Sequence, residues 1–542
     1  VIAAVSFGSP ATLLARIAAL QRSHHLVVAD LPSGAAGYAD LHTLAATRPS
    51  GELLTVIQSS PDTPGHELLW SAAAGLGPGA QTLTSQTTNE RGLIASIDIG
   101  PTILTHLELP IPADMRGKPV RLDGPFDGAT LRALKARLVV IDSRRLPALE
   151  WLVLAWMLLL AAAQLPFGRS DDDARPPSWN SLGGDEQASG HRAGSPRSTS
   201  WRDARRRRTA WAMRTGALAV LWTPVAVLVP AALEPSRTAE LALIVAICFA
   251  LGALTDRLVP WPRAPIAPAV AAVVVLTVDA LAGTQLLMRS LLGPNPAFGA
   301  RFYGIGNELK SGLAVLVFSA VAAALYPAVR GRRTASAMAC AGILLAVVEG
   351  SARIGAGVGG VILVSAGTAV ATVMLLPGTF NRRRALIVMA APVVGLVALA
   401  AIDLLTAHSS GHFTGSVLDA RSPGDIRDIV VRRYGAAWEE LKNHLMPLAT
   451  ALALVASWIA VRRRNRVLAP VHGDPAWLAA LSGGLAAGMI GALSEDSGPE
   501  LLVVGVFALG CVLSYLWGKP ASQLTTQATS RKGFSTRTEL IT

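Results

Sequence analysis

Charge is what this sequence of 542 residues has least of. Only 15% of its residues are Asp, Glu, Lys or Arg, against about 25% in soluble domains. The shortfall excludes a disordered chain and argues against an ordinary cytosolic enzyme. Cysteine is scarce too: Cys248, Cys340 and Cys511 all lie in apolar blocks, and no two form a CxxC pair. They read as small buried hydrophobes, which removes a disulfide framework and a cysteine-based metal site from consideration. Before about residue 150 the chain also lacks long apolar runs. After it, such runs recur in blocks of roughly twenty residues, the length of a membrane-crossing helix. A soluble part followed by a large membrane part is expected. The chain opens on Val1 in mid-pattern, without Met or signal peptide, and reads as a fragment.

The mean hydropathy is +0.44 and the net charge +12. A basic balance suits nucleic-acid binding or the positive-inside bias of membrane proteins. Position decides for the membrane, because the arginines cluster in short stretches between apolar blocks. No nucleic-acid partner is expected.

The fold expected is an α-helical polytopic membrane protein of about eleven spans with an N-terminal extracytoplasmic α/β domain. The spans fall near 149–167, 213–233, 239–255, 265–287, 311–328, 335–350, 355–376, 385–406, 445–461, 475–493 and 499–517. The segment 168–212 carries Arg205, Arg206, Arg207 and Arg208 after a low-complexity stretch that cannot build a core, and reads as a disordered cytoplasmic loop. Arg257 and Arg263, then Arg330, Arg332 and Arg333, then Arg382, Arg383 and Arg384, then Arg462, Arg463, Arg464 and Arg466 follow alternate spans. With eleven spans all these clusters fall on one side. That puts 1–148 outside, the helical domain at 213–517, and the tail 518–542 in the cytoplasm.

In 1–148, VIAAVSF, HHLVVADLP and ELLTVIQSS read as buried strands, with a helical run between the first two. That alternation suggests a parallel α/β sheet. Asp98 precedes PTIL as a candidate helix cap.

The loops assigned to the outer side hold the unusual chemistry: 291–312, 349–360, the long loop 407–444 and 494–500. In RFYGIGNELKSG, glycine lets backbone approach a neighbour closely. Arg301 offers a planar fork for carboxylate or phosphate, Tyr303 suits the interface, and Asn307 and Glu308 open the next helix. Glu349 and Arg353 flank GAGVGG, which suits either helix packing or ligand binding. His412 and Arg433 lie in the long loop, and Glu495 and Asp496 open the last. Asp279 sits inside an apolar block, where a carboxylate is costly; a functional charge and an internal ion pair both remain open. Convergence of these loops on one site is expected, with arginines facing carboxylates.

Two resemblances rest on these residues. The segment 91–124, with Asp98, Pro101-Thr102, the apolar run to Leu109, Pro112 and Gly117, resembles the closing block of the alkaline phosphatase superfamily. That implies an α/β domain and, in members with a complete site, two-metal ester hydrolysis. Here Gln58-Ser59-Ser60-Pro61-Asp62, with His66 further on, stands where the metal-binding Asp-His pair is expected. Hydrolase activity of 1–148 is not expected, and no residue is assigned to a metal or cofactor.

The succession ARFYGIGNE, GAGVGG and EDSGPE resembles bacterial polytopic membrane proteins of unassigned function that carry a phosphatase-like outer domain. It resembles O-antigen ligases and polymerases more weakly. Arg301 and Asn307, then Arg353, then His412 and Arg433 take comparable places, with Glu308 replacing a second Asn. The resemblance implies a partner among membrane lipids, a lipid-linked glycan or another phosphate-bearing substrate. Arg301, Tyr303, Asn307, Glu349, Arg353, Arg433, Glu495 and Asp496 would bind it, with Glu308 or His412 as catalytic base. A transporter or flippase, or a non-catalytic scaffold, stays open beside the transferase.

Overall fold

A computed structural model of the chain describes residues 4–59, 68–112, 115, 117–165, 196–283, 285–298, 302–351, 354–355, 357–379, 381–406, 431, 434–435, 437–442 and 445–520. It divides into two compact units, Val1–Ala133 with Ala297–Gly299, and the remainder.

In the first unit, helices α1 (Leu13–Gln21), α2 (Ala35–Thr47) and α3 (Ile99–His106) accompany four short strands. These are β1 (Leu54–Ile57), β2 (Ser71–Ala74), β3 (Gln81–Thr84) and β4 (Arg121–Pro125). β1 pairs with β2 and β3 with β4, both antiparallel, in two separate two-stranded sheets. This differs from the expected parallel sheet. The runs around Val5 and Val28 form no strand, and Val5, Phe7, Leu26 and Val28 are exposed. An apolar run shows that a strand could be buried, not which strand will pair with it.

Asp98 takes another role than a cap for α3. Its carboxylate accepts from Ala95 N (2.9 Å), Lys118 N (2.9 Å) and the Thr87 hydroxyl, and it is fully buried. It thus caps the single turn Ser96–Asp98 and ties that turn to residue 118. Gly117 permits the approach, since a Cβ there would meet Asp98 N at 2.9 Å. Thr102 adds a second tie, donating to Asp98 O (2.6 Å) and accepting from Val120 N (2.9 Å).

The boundary between the units falls within α4 (Gly128–Ala162), earlier than residue 148. The second unit is helical. It contains α5 (Pro196–Leu221), α6 (Thr223–Ala226), α7 (Leu228–Leu233), α8 (Arg237–Leu258), α9 (Ile266–Ala282) and α10 (Asn307–Leu325). These are followed by α11 (Arg332–Gly350), α12 (Val358–Leu375), α13 (Arg382–Thr406), α14 (Met446–Arg462), α15 (Pro475–Ser494) and α16 (Pro499–Trp517). The arginine run 205–208 is helical, as the good helix propensity of Arg and Ala allows; residues 168–195 of the expected loop lie outside the described residues.

Among the described residues, 8 helices are long and apolar enough to cross a membrane, or 9 if the bent pair Arg202–Leu221 and Thr223–Leu233 counts as one. The mostly helical chain therefore suits a multi-pass membrane protein. The other two expected spans coincide with α9 and α14, each 17 residues. At 1.5 Å per residue these reach about 26 Å, short of a hydrocarbon core of about 30 Å. Both still turn apolar residues outward at helical spacing: Val270, Val274, Val278 and Leu281 on α9, and Leu448, Leu452, Val455 and Ile459 on α14.

Small residues hold the centre. α12 packs against α11, α13 and α15. At the crossing of α12 and α15, a Cβ on Gly367 would lie 2.7 Å from Gly483 O, and one on Gly483 equally close to Gly367 O. The two backbones touch, which only small residues permit.

The arginine clusters gather at one end of this bundle. Arg205 donates to Gln164 beyond the end of α4 (3.0 Å), and Arg214 joins Asp256 (2.6 Å) and Gly518 O (2.6 Å). Trp261 meets Tyr326 edge-on at 6.1 Å, Gly331 N donates to Leu375 O (3.0 Å), and Trp517 Nε1 donates to Val467 O (3.0 Å). The loops rich in Gly, Asn and carboxylates close the opposite end.

Candidate functional site

At that opposite end, four helix termini bring buried polar groups together. α10 begins at Asn307, one residue after Gly306, and carries Lys310 one turn in. α11 ends at Glu349-Gly350, α12 begins just beyond Gly357, and α15 ends at Ser494 with Glu495 as its C-cap.

Lys310 Nζ pairs with Glu495 Oε1, with side chains 0% and 4% exposed. Glycines make the space. A Cβ on Gly357 would lie 2.8 Å from Lys310 Nζ, and one on Gly360 would lie 2.7 Å from Glu349 Oε2 and 3.5 Å from Lys310 Cδ. A Cβ on Gly359 would strike the Glu495 carboxylate. The GAGVGG stretch is therefore the wall of a charged centre, and Gly367 further along α12 serves the helix packing. Glu349 is itself fully buried. The centre thus holds one lysine and two carboxylates inside a helix bundle, where charges are rare and expensive.

A second layer sits just above. Asn307 Nδ2 donates to Asp496 Oδ1 (2.9 Å) and Ser497 Oγ (2.7 Å), fixing the loop after α15 to the start of α10. Asn307 Oδ1 is buried and accepts no hydrogen bond among the described residues. Gly304, with φ of 84°, turns the chain into α10 through a conformation that favours glycine.

Glu308 points away from this centre. Its carboxylate pairs with Arg145 of α4, whose Nη2 also donates to Gly293 O (2.9 Å). Glu500 of α16 lies within electrostatic reach of Glu308 and Arg145. Tyr303 is half-buried in the preceding loop. Asp279, near the end of α9, accepts from Leu286 N (3.0 Å) and Leu287 N (2.8 Å), so its carboxylate holds the turn after its own helix.

Of the residues singled out from sequence, Asn307, Glu349, Glu495 and Asp496 meet, Glu308 stands to one side, and Asp279 belongs elsewhere. Arg301, Arg353, His412 and Arg433 lie outside the described residues, as do Asp62 and His66. The cation at the centre, Lys310, was missed. Sequence reading began this span at 311 and left Lys310 in the loop, whereas α10 starts at 307 and draws it inside. The signal was present: Lys310 lies three residues after Asn307, one turn along a helix.

Comparison with known protein families, characterised proteins and solved structures gives no match.

Proposed function

We propose that this chain is an integral membrane protein of the bacterial cell envelope that takes up a phosphate-bearing, lipid-linked glycan at the Lys310 centre. The reading has eleven spans, counting α9, α14 and the bent pair. The arginine-rich end faces the cytoplasm, and the Asn307 end faces out together with residues 1–133.

The observation that carries it is the fully buried Lys310, paired with Glu495 at the mouth of the bundle, with the buried Glu349 carboxylate beside its stem at Gly360. Lysine is a compact point charge that suits phosphate as well as carboxylate. A phosphate can replace Glu495 as its partner with little net change in charge-pairing. Asn307, whose buried Oδ1 accepts no hydrogen bond among the described residues, lies beside it and suits a sugar hydroxyl. In a transferase, Glu308, turned toward Arg145, would serve as base only for an acceptor arriving on that side of the centre, and His412 is the other expected base. The phosphatase-like reading of residues 91–124 stays part of this proposal as a fold relationship without hydrolysis.

Translocation is the second reading, favoured by one observation: Glu349, Lys310 and Glu495 are enclosed by helices rather than set in an open cleft. A flippase moves the headgroup past such a centre without breaking a bond.

The test uses the full chain in liposomes with a fluorescent polyprenyl-pyrophosphate glycan. Specific binding lost in Lys310→Met and kept in Asp279→Asn supports the site. Equal binding by Lys310→Met and the parent chain overturns it. Movement of the probe to the inner leaflet, read by protection from a membrane-impermeant quencher, marks the flippase. Transfer of the glycan to an added acceptor marks the enzyme.

A further inference from the structure

A second charged cluster lies at the Asn307 end and takes no part in the centre. Glu240, in the first turn of α8, is 1% exposed and sits between two arginines of α4. Arg137 grips it with both terminal nitrogens (2.5 and 3.2 Å), and Arg144 adds a third contact (2.6 Å). Arg137 Nε donates to Arg289 O (2.9 Å), and Arg144 Nη1 also reaches Pro235 O (3.3 Å). Among the described residues, the Arg289 side chain makes only a long contact with Glu234 (3.5 Å). Among the described residues, Arg237 makes only a long one with Ser143 O (3.5 Å), and it is exposed.

Four guanidinium groups thus surround two carboxylates, an excess of two positive charges. Each guanidinium carries about five N–H donors, far more than two carboxylates can accept. One is stranded: Arg289 Nε is buried and has no hydrogen-bond partner among the described residues. The level in the membrane is set by the spans themselves. Ser143 and Arg237 are the first residues of two candidate spans, Ser143–Ala162 and Arg237–Leu258. Arg144 and Arg237 therefore stand where apolar helix gives way to headgroups. Below them Trp151, Leu154, Leu158 and Leu233 are exposed apolar surface.

We infer that Arg144, Arg237 and Arg289 hold the phosphate of an anionic phospholipid, with its acyl chains lying on the exposed face of α4. Guanidinium suits phosphate through paired N–H donors. Glu240 fixes Arg137 and Arg144 in place and leaves the outer donors of the cluster for the ligand. The site is distinct from the Lys310 centre, and its failure would leave the proposed function standing.

The test is photo-crosslinking of the full chain, in nanodiscs, to phosphatidylglycerol carrying a diazirine near the headgroup. Adducts should map to residues 143–151 and 233–237, and unlabelled phosphatidylglycerol should compete while phosphatidylcholine does not. Arg237→Gln and Arg289→Gln should each lower adduct yield about fivefold, the contribution of one basic residue at a charged membrane surface. Arg237 has a single long contact, so its variant folds as the parent does. Equal labelling by a phosphatidylcholine probe, or unchanged yield in the double variant, would overturn the inference. So would competition by inorganic phosphate alone, which would mark a site for the free ion.

Discussion

Among the described residues, Asp98 and the Lys310 centre are the most deeply buried charges of their respective units, and they are held in opposite ways. Asp98 is surrounded by neutral donors: two backbone N–H groups and a threonine hydroxyl. A carboxylate satisfied like this is a fastener, since hydrogen bonds to its charged form offset the loss of water. Lys310 instead meets the Glu495 carboxylate directly, charge against charge, with glycines making the space and the buried Glu349 nearby. Such arrangements are often no more stable than an apolar replacement. The contrast separates a charge that builds the fold from one the fold tolerates. Asp279 makes the same point within the membrane unit. It lies in an apolar helix, yet it holds two backbone amides and behaves as Asp98 does.

The largest expected effect breaks the membrane side of this comparison. Lys310→Ala leaves Glu495 buried without its cation, and should destabilise the full chain by about 3–5 kcal/mol. Thermal unfolding in detergent checks this; a change within 1 kcal/mol would mean that water already reaches the pair.

Gly360→Val comes next. The added side chain must displace Glu349 and the stem of Lys310. Overpacking of this kind costs about 1–3 kcal/mol, and binding of the glycan probe should fall with it. Full binding in a normally folded Gly360→Val chain would show that the glycine wall serves packing alone.

Asp98→Ala should cost about 1–3 kcal/mol through stranded donors at Ala95, Lys118 and Thr87. It should leave probe binding by the membrane unit unchanged, and amide exchange confined to residues 87–120 would report it. Loss of probe binding in Asp98→Ala would erase the distinction between fastener and functional charge.

The smallest effect concerns Asp127, at the start of α4. Hydrogen bonds from the Thr130 hydroxyl and the Thr130 and Ala129 amides hold its carboxyl below the usual carboxylate range. A depressed folded value means its stabilising contribution is complete above the unfolded value of about 3.9 and is lost as pH falls through the folded one. Amide protection at residues 129–131 of the full chain, taken relative to the intrinsic exchange rate at each pH, should therefore fall only at acid pH. In Asp127→Asn that acid dependence should vanish.

Much of the helical architecture was legible because hydrophobic length is a local signal. The expected spans all fall on helices, and the alternation of arginine clusters anticipated their gathering at one end. Asn307, Glu349, Glu495 and Asp496 stood out in the sequence as polar residues at the ends of apolar blocks, but Arg301 and Arg353, the partners expected for the carboxylates, lie outside the described residues. What was hidden depended on partners distant in sequence. β1 and β2 pair antiparallel although their composition suits either direction. Glu308 turned to Arg145, 163 residues away, which no local pattern reveals. Lys310 was lost to a boundary error of about one helical turn, enough to move a cation from loop to core.

The central claim is that the Lys310–Glu495 pair is kept for function rather than stability. The double variant Lys310→Met/Glu495→Met tests it most directly, with unfolding and glycan-probe binding measured on the same full-length sample in liposomes. The account predicts stability equal to or above the parent's, as apolar replacement of buried ion pairs often gives, together with loss of probe binding. A double variant that binds the probe as the parent does, or that unfolds as readily as Lys310→Ala, would contradict it.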